Sequence, residues 1–149
     1  MALSKKLIDF SNALKRLEEA HDKAFEARGG ENYSFFRDST IQRFEFTLEI
    51  AWKSVKSFLL EHEGVECRSP KGCMREFSAT GYIDADETVR LLQMIDDRNL
   101  ASHTYHENIA EEIFKNIQSY QEILKKIYEI MKSSEKSSVK AVWQFTAKR

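Results

Sequence analysis

The sequence predicts an all-α protein, folded as an antiparallel up-and-down four-helix bundle with one extra short helix. Three observations lead to this fold class. One proline and five glycines in 149 residues leave little material for the turns of a β protein. Apolar residues recur at spacings of three and four, with short connections between the segments. The chain is 42% hydrophobic and 32% charged, which favours one soluble domain with a buried core.

The first helix is predicted over residues 3–28. Its apolar stripe consists of Leu3, Leu7, Phe10, Leu14, Leu17, His21 and Ala24. Gly29 and Gly30 end it, because glycine adopts the left-handed cap conformation without strain. We interpret His21 as a histidine of the core or its rim, since it lies on this stripe.

The second helix is predicted over residues 36–62, with Gly64 just beyond its end. Its stripe consists of Ile41, Phe44, Leu48, Trp52, Val55 and Leu59. Phe46, Ile50 and Phe58 widen the apolar surface, so this helix is either central to the bundle or also part of a subunit interface. Glu49 and Lys53 have the spacing of an i,i+4 ion pair.

Two N-terminal caps mark the next helices. Ser69 followed by Pro70 opens a short helix that Gly81 closes, and Asp84 with Glu87 forms a capping box for the fourth helix. An apolar face of Val89, Leu92, Met94 and Ile95 follows. Asp96 and Asp97 oppose the helix dipole there, so we expect them to pair with a cation, either Arg98 or a base of a partner chain.

The last long helix carries the most regular stripe, and the chain changes character after it. The stripe consists of Ile109, Ile113, Ile117, Tyr120, Leu124, Ile127 and Met131. Residues 133–138 have a linker-like composition. We therefore divide the chain into a helical domain, residues 1–132, and a tail, residues 133–149, that is mobile or held by a neighbour.

The segment from Asp97 to Glu107 contains the candidate functional residues. Arg98 and His103 are five positions apart, so an unbroken helix would point them about 140° apart, whereas Tyr105 would share the face of Arg98. The three side chains converge only where the helix ends between them. Ser102 and Thr104 are the expected breakers, because their hydroxyls compete for backbone hydrogen bonds.

This corner has two simpler interpretations. Arg98, Asp96 and His103 could form a structural polar network at a helix end. Alternatively, His103, His106 and Glu107 could bind a metal, but two ligands and a neighbour fall short of a site, so we expect none.

Three sequence blocks resemble one known family. Arg98, His103 and Tyr105 match the Arg-x4-His-x-Tyr signature of the HEPN superfamily, in the branch named nucleotidyltransferase substrate-binding protein or HepT-type toxin. Residues 41–53 and the Ser69-Pro70-Lys71 segment are similar to two further hallmarks of that branch, and the resemblance covers residues 5–132. It implies a homodimer that works with a separately encoded minimal nucleotidyltransferase.

The resemblance also implies a chemistry. Metal-independent RNA cleavage needs a base, an acid and a cation for the phosphate. His103 would serve as base or acid and Arg98 as the cation, with a second copy supplying the second histidine. Transfer of AMP to Tyr105 would then block the site, and we assign Asp97 and Asn99 to substrate binding beside it.

The resemblance gives a leading function and one alternative, and a third interpretation leaves the family-like blocks unexplained. The leading one is a ribonuclease toxin of a toxin–antitoxin pair, inactivated by AMPylation of Tyr105. The second is a non-catalytic subunit that binds substrate for the nucleotidyltransferase, and the third is a plain helical scaffold. Whether the chain is an enzyme is left open.

Composition narrows these possibilities. The net charge of -1 provides no global basic field, so any RNA contact must be local. Neither a phosphate-binding glycine loop nor a nucleotidyltransferase motif is present, so we expect no cofactor and no nucleotidyltransferase activity. Cys67 and Cys73 fit neither a zinc site nor a disulfide scaffold, which favours two reduced thiols in a cytoplasmic protein. Neither a signal peptide nor a membrane span is expected.

Overall fold

The computed structural model describes the chain over residues 2–103 and 106–147, with side chains given except for residue 103 and residues 138–147. This part is all-helical and contains no strand, which confirms the predicted class. Its five α-helices are α1 (Ala2–Glu26), α2 (Tyr33–Phe58), α3 (Pro70–Ala79), α4 (Ala85–His103) and α5 (Glu107–Ala147). Within these ranges no helix is both long enough and apolar enough to cross a membrane.

The predicted N-terminal caps are present. The Gly72 backbone N–H donates to the Ser69 hydroxyl at 3.0 Å, at the start of α3. At α4, the Glu87 N–H donates to the Asp84 carboxylate at 2.8 Å, and the Asp84 N–H donates to the Glu87 carboxylate at 2.9 Å. These reciprocal bonds form a capping box, which satisfies two N–H groups that the helix start leaves without a partner.

One core joins all the helices, and α2 lies at its centre because it contacts each of the other four. The broad apolar surface of α2 is buried on some sides and exposed on another. Phe58 is completely buried, whereas Phe46 is 59% exposed. His21 stacks on Phe114 with ring centroids 5.2 Å apart, and burial lowers its pKa, as expected for a rim histidine.

Two helix pairs run in opposite directions. Between α1 and α2, Arg43 donates to the Arg16 carbonyl at 2.9 Å and Thr47 donates to the Ala13 carbonyl at 3.4 Å, so contacts descend along α1 as they ascend α2. Contacts between α4 and α5 show the same reversal, since residue 97 meets residue 120 and residue 87 meets residue 126.

Small hydroxyl residues repeat every seven positions on one face of α2. Thr40, Thr47 and Ser54 are all completely buried. Each donates to the carbonyl four residues earlier, at 2.7, 2.7 and 2.8 Å. These bonds satisfy the hydroxyl groups within α2 itself, and the small size of Thr47, which also reaches the Ala13 carbonyl, lets α1 approach α2 closely.

Two helical segments differ from the sequence-based expectations. A π-helix, Leu59–Glu63, continues α2 and ends at Gly64, whose φ of 67° is left-handed. Helix α5 continues to Ala147, so the linker-like residues 133–138 are helical, although the domain boundary itself stays a prediction.

The expectation of two reduced thiols is wrong in this structure, because Cys67 and Cys73 form a disulfide. The connection from the π-helix to α3 folds back on itself and brings their Cα atoms to 5.1 Å, within bridging range. The cysteines therefore no longer argue for a reducing compartment.

Candidate functional site

Arg98 lies near the C-terminal end of α4 and reaches towards α2. Its Nη2 is 3.5 Å from the Glu49 carboxylate, and its side chain is 35% exposed. Within the described parts of the chain, its buried Nε has no hydrogen-bond partner. The guanidinium therefore keeps hydrogen-bonding capacity beyond what Glu49 uses, as an anion-binding arginine requires.

Glu49 connects Arg98 to the second family-like block. It accepts from the Trp52 indole N–H at 3.0 Å and forms the predicted pair with Lys53 at 3.1 Å. The hydrogen bond from Trp52 and the charge of Lys53 hold the pKa of the Glu49 carboxyl below its usual value. Sequence analysis paired Glu49 with Lys53 alone and missed its contact with Arg98. The i,i+4 spacing accounts for Lys53 and gives no sign of a third partner.

Asp96 and Asp97 have different partners. Asp96 pairs with Lys71 of α3 at 2.6 Å, so the expected cation is present but is neither Arg98 nor a base of a partner chain. Asp97 instead accepts from the Tyr120 hydroxyl at 2.5 Å, and it forms no ion pair with the side chains that the structure describes. Burial and this bond raise the pKa of Tyr120 above its usual value, so the phenol stays neutral.

The expected helix end between Arg98 and His103 is absent, because α4 continues to His103. Ser102, one of the two expected breakers, is helical, and its hydroxyl donates to the Arg98 carbonyl at 3.1 Å. Thr104, the other expected breaker, lies outside the described residues. The His103 side chain and the whole of Tyr105 lie outside the described residues, so the predicted catalytic pair and modification site stay predictions. Asn99 is exposed on the same turn as Arg98.

A small cavity lies beside this corner, between α2, the end of α4 and the start of α5. Its volume is about 160 Å³. Ile41, Ile109 and Ile113 give it an apolar floor, and Asp38, Glu45 and His106 supply the polar groups. Glu45 also accepts a 3.4 Å hydrogen bond from Ser102, which ties the cavity to the α4 end.

Next to the cavity, Arg37 is a buried arginine that sequence analysis missed. Its side chain is 4% exposed and pairs with Glu107 at 2.8 Å, with Asp38 at 3.1 Å and with Glu111 at 3.4 Å. Burial alone would lower its pKa, but the bonds to Glu107 and Asp38 raise it above its usual value, so the group stays charged. Its position four residues before Ile41 continues the α2 stripe, and this was the available signal.

The ion pair with Arg37 also affects the metal alternative for this corner. Glu107, one of the three residues considered there, uses its carboxylate on Arg37. His106 is exposed and lines the cavity, and His103 lies outside the part with described side chains. The arrangement gives Glu107 a structural role.

Comparison with known proteins gives the family. Residues 5–133 match the family described as "Nucleotidyltransferase substrate binding protein like". A crystal structure of a protein from Thermus thermophilus is 35% identical, with a TM-score of 0.65, and the match covers 77% of this chain and 98% of that one. No functionally curated protein matches the chain. The matched region contains both the Arg98 corner and the adjoining cavity. Because the match covers most of the sequence, the chain belongs to the nucleotidyltransferase substrate-binding protein-like family.

Proposed function

We propose that this chain is the non-catalytic, substrate-binding subunit of a two-component nucleotidyltransferase. A separately encoded minimal nucleotidyltransferase would supply the transfer chemistry. The observation that carries the proposal is the cavity of about 160 Å³ beside the Arg98 corner, which combines an apolar floor with carboxylates at its edge. Family membership supports the same function.

The cavity favours a particular kind of ligand. Pockets for drug-sized ligands have volumes of about 300–1,000 Å³, so a cavity of about 160 Å³ fits one group of a larger substrate, such as a single ring. Glu45 and Asp38 accept hydrogen bonds, which suits hydroxyl or amino substituents. A hydroxyl is also the acceptor that nucleotide transfer requires. The partner enzyme would then cover the exposed part of the substrate.

The assembly that we propose is a homodimer of antiparallel four-helix bundles. Phe35 and Phe46 support it, because they lie on α2 and are 73% and 59% exposed. Large exposed apolar side chains on one helix are typical of an interaction surface. Sedimentation analysis should give about twice the chain mass of 17.4 kDa, and Phe46→Glu should shift the protein to monomer. A wild-type monomer at the working concentration would contradict this assembly.

The test of the main proposal is reconstitution with the minimal nucleotidyltransferase encoded beside this chain. Transfer of labelled AMP from ATP to hydroxyl-bearing small molecules should require both proteins. Glu45→Gln should raise KM by about tenfold with kcat retained, because it weakens binding of the substrate and of the transition state equally. Glu76→Gln, at an exposed position on α3, is the matched control and should behave as wild type. Transfer that proceeds equally well without this chain would exclude the role.

A second candidate is the metal-independent ribonuclease toxin. The observation that favours it is Arg98, whose guanidinium is one-third exposed and whose Nε has no partner in the described residues. Such a group suits a phosphate. Expression in cells lacking the partner should arrest growth and degrade RNA with wild type and with His106→Ala, but not with His103→Ala. Equal harmlessness of all three proteins would eliminate the toxin.

AMPylation of Tyr105 would be the means by which the ribonuclease toxin is inactivated, and it can be tested separately. An added AMP near Arg98 would introduce bulk and negative charge, and so block a phosphate ligand. Incubation with the nucleotidyltransferase and ATP should increase the intact mass by one or more AMP units, and Tyr105→Phe should prevent the increase. An unchanged mass for the wild-type chain would remove the switch.

A further inference from the structure

A second cluster of chemically active side chains lies far from the Arg98 corner. Glu61 and His62 belong to the π-helix, and Glu135 lies on α5. Helix α5 begins at Glu107 beside the corner, and at about 1.5 Å per residue Glu135 is roughly 42 Å along it. The cluster therefore belongs to neither functional site proposed above.

The three side chains are close enough to bind one ion. His62 Nε2 lies 2.8 Å from Glu135 Oε2. One ligand atom from each of the three residues lies within 4.8 Å of the others. Ligands about 2.0–2.2 Å from a zinc ion are separated by roughly 3–4 Å, so small side-chain movements suffice. Two carboxylates also match the charge of a divalent cation.

Surrounding contacts hold two of the three side chains in place. The Ser4 hydroxyl donates to the other oxygen of Glu135 at 2.8 Å, which leaves Oε2 directed at His62. The His62 ring stacks on Phe58 with centroids 5.0 Å apart. Metal ligands are commonly oriented in this way by hydrogen bonds and packing from a second layer of residues. Glu61 is exposed and is free to close onto an ion.

The space beside the cluster would give a bound ion an open side. A cavity of about 310 Å³ opens beside Glu135, and Ser4, Asn12, Lys132 and Lys136 also line it. A fourth ligand, a water or a small anion held by the lysines, would have access from this side.

We propose that Glu61, His62 and Glu135 form a site for a divalent transition-metal ion of the zinc type, with one coordination position open to the cavity. Imidazole favours zinc over magnesium, which prefers six oxygen ligands in an octahedral arrangement. The ion would replace the direct hydrogen bond between His62 and Glu135. It would join the end of the π-helix to α5.

Titration of the full-length chain with zinc, in competition with a chelating dye, tests the site. The titration omits reductant, so that Cys67 and Cys73 remain bonded to each other and cannot act as thiolate ligands. One zinc ion should bind per chain, and millimolar magnesium should not displace it. Substitution with cobalt should give an absorption spectrum without a sulfur-to-metal charge-transfer band.

Variants locate the site. Glu61→Gln leaves the His62–Glu135 pair intact and should weaken zinc binding by more than about tenfold, and Ser4→Ala by about tenfold through loss of the orienting hydrogen bond. His106→Ala, at an exposed histidine near the other end of α5, should bind zinc as wild type does. Absence of zinc binding, wild-type affinity in Glu61→Gln, or weakened binding in His106→Ala would each overturn the proposal.

Discussion

The hydroxyl of Tyr120 on α5 donates a 2.5 Å hydrogen bond to Asp97 on α4, the residue immediately before Arg98. Tyr120 is 2% exposed, and its ring stacks on Phe44 of α2 with centroids 5.6 Å apart. One buried side chain thus connects the two helices that carry Glu49 and Arg98 to the helix that follows the corner. The position of the candidate site depends on this bond.

Tyr120→Phe should lower the free energy of unfolding by about 2 kcal/mol, because it leaves the Asp97 carboxylate without its buried donor. Denaturant unfolding followed by circular dichroism measures the change. Tyr128→Phe is the matched control. Tyr128 lies on the same helix and packs edge-on against Phe10 at 5.5 Å, and its substitution should cost less than about 0.5 kcal/mol. Equal effects of the two substitutions would show that the bond to Asp97 contributes little.

Arg37→Met should destabilise the fold by about 3 kcal/mol, since it leaves carboxylates beside the cavity without their buried cation. Glu107 loses a cation 2.8 Å away, whereas Glu111 keeps the 2.7 Å hydrogen bond that it accepts from Tyr33. Arg75→Met, at an exposed arginine on α3, is the control and should change stability by less than about 0.5 kcal/mol. Thermal and denaturant unfolding should agree. A stable Arg37→Met protein would indicate that apolar packing replaces the ion pairs at no cost.

Stability at acidic pH should depend on Glu87. Its carboxylate accepts from Lys126 at 2.5 Å and from the Asp84 backbone, and these bonds lower its pKa below the reference value of 4.5. A lowered folded-state pKa means that the contribution is complete above about pH 4.5 and is lost as the pH falls through the folded-state value.

Glu87→Gln should therefore cost about 1 kcal/mol at pH 7. The difference from wild type should shrink below about pH 4, where protonation removes the same charge. Unfolding curves at several pH values measure this convergence. A difference that stays constant down to pH 3 would attribute the effect to packing and not to ionisation.

Reduction of the Cys67–Cys73 disulfide should lower stability. The bond closes a loop with a sequence separation of 6, and the chain-entropy relation assigns about 2 kcal/mol to a loop of this size. Unfolding with and without dithiothreitol tests this prediction, and the Cys67→Ser/Cys73→Ser double variant should then be insensitive to reductant. A wild-type protein with the same stability in both conditions would contradict it.

Local sequence signals predicted the helices well, because caps and apolar spacing act over a few residues. Ser69, Asp84 and Glu87 each make the bond that their position suggested. The prediction of the apolar face of α4 was less accurate, since Val89 is 62% exposed and Leu91, which was not assigned to that face, is buried. Pattern alone does not fix which side of a helix meets the core.

Long-range relationships could not be predicted in the same way. The contact between Glu49 and Arg98 joins residues 49 positions apart, and no spacing rule connects them. The π-helix and the disulfide also depend on how the chain turns after α2, which tertiary packing decides. Family resemblance predicted Arg98 as a site residue and gave no sign of the cavity beside it.

The seven-residue repeat of Thr40, Thr47 and Ser54 has a mechanical consequence. Because small groups line this face of α2, the helices α1 and α2 fit together closely and should move as one rigid unit. Glu49 lies on this unit and Arg98 lies on α4, so the distance between their side chains would report any movement of α4 against it.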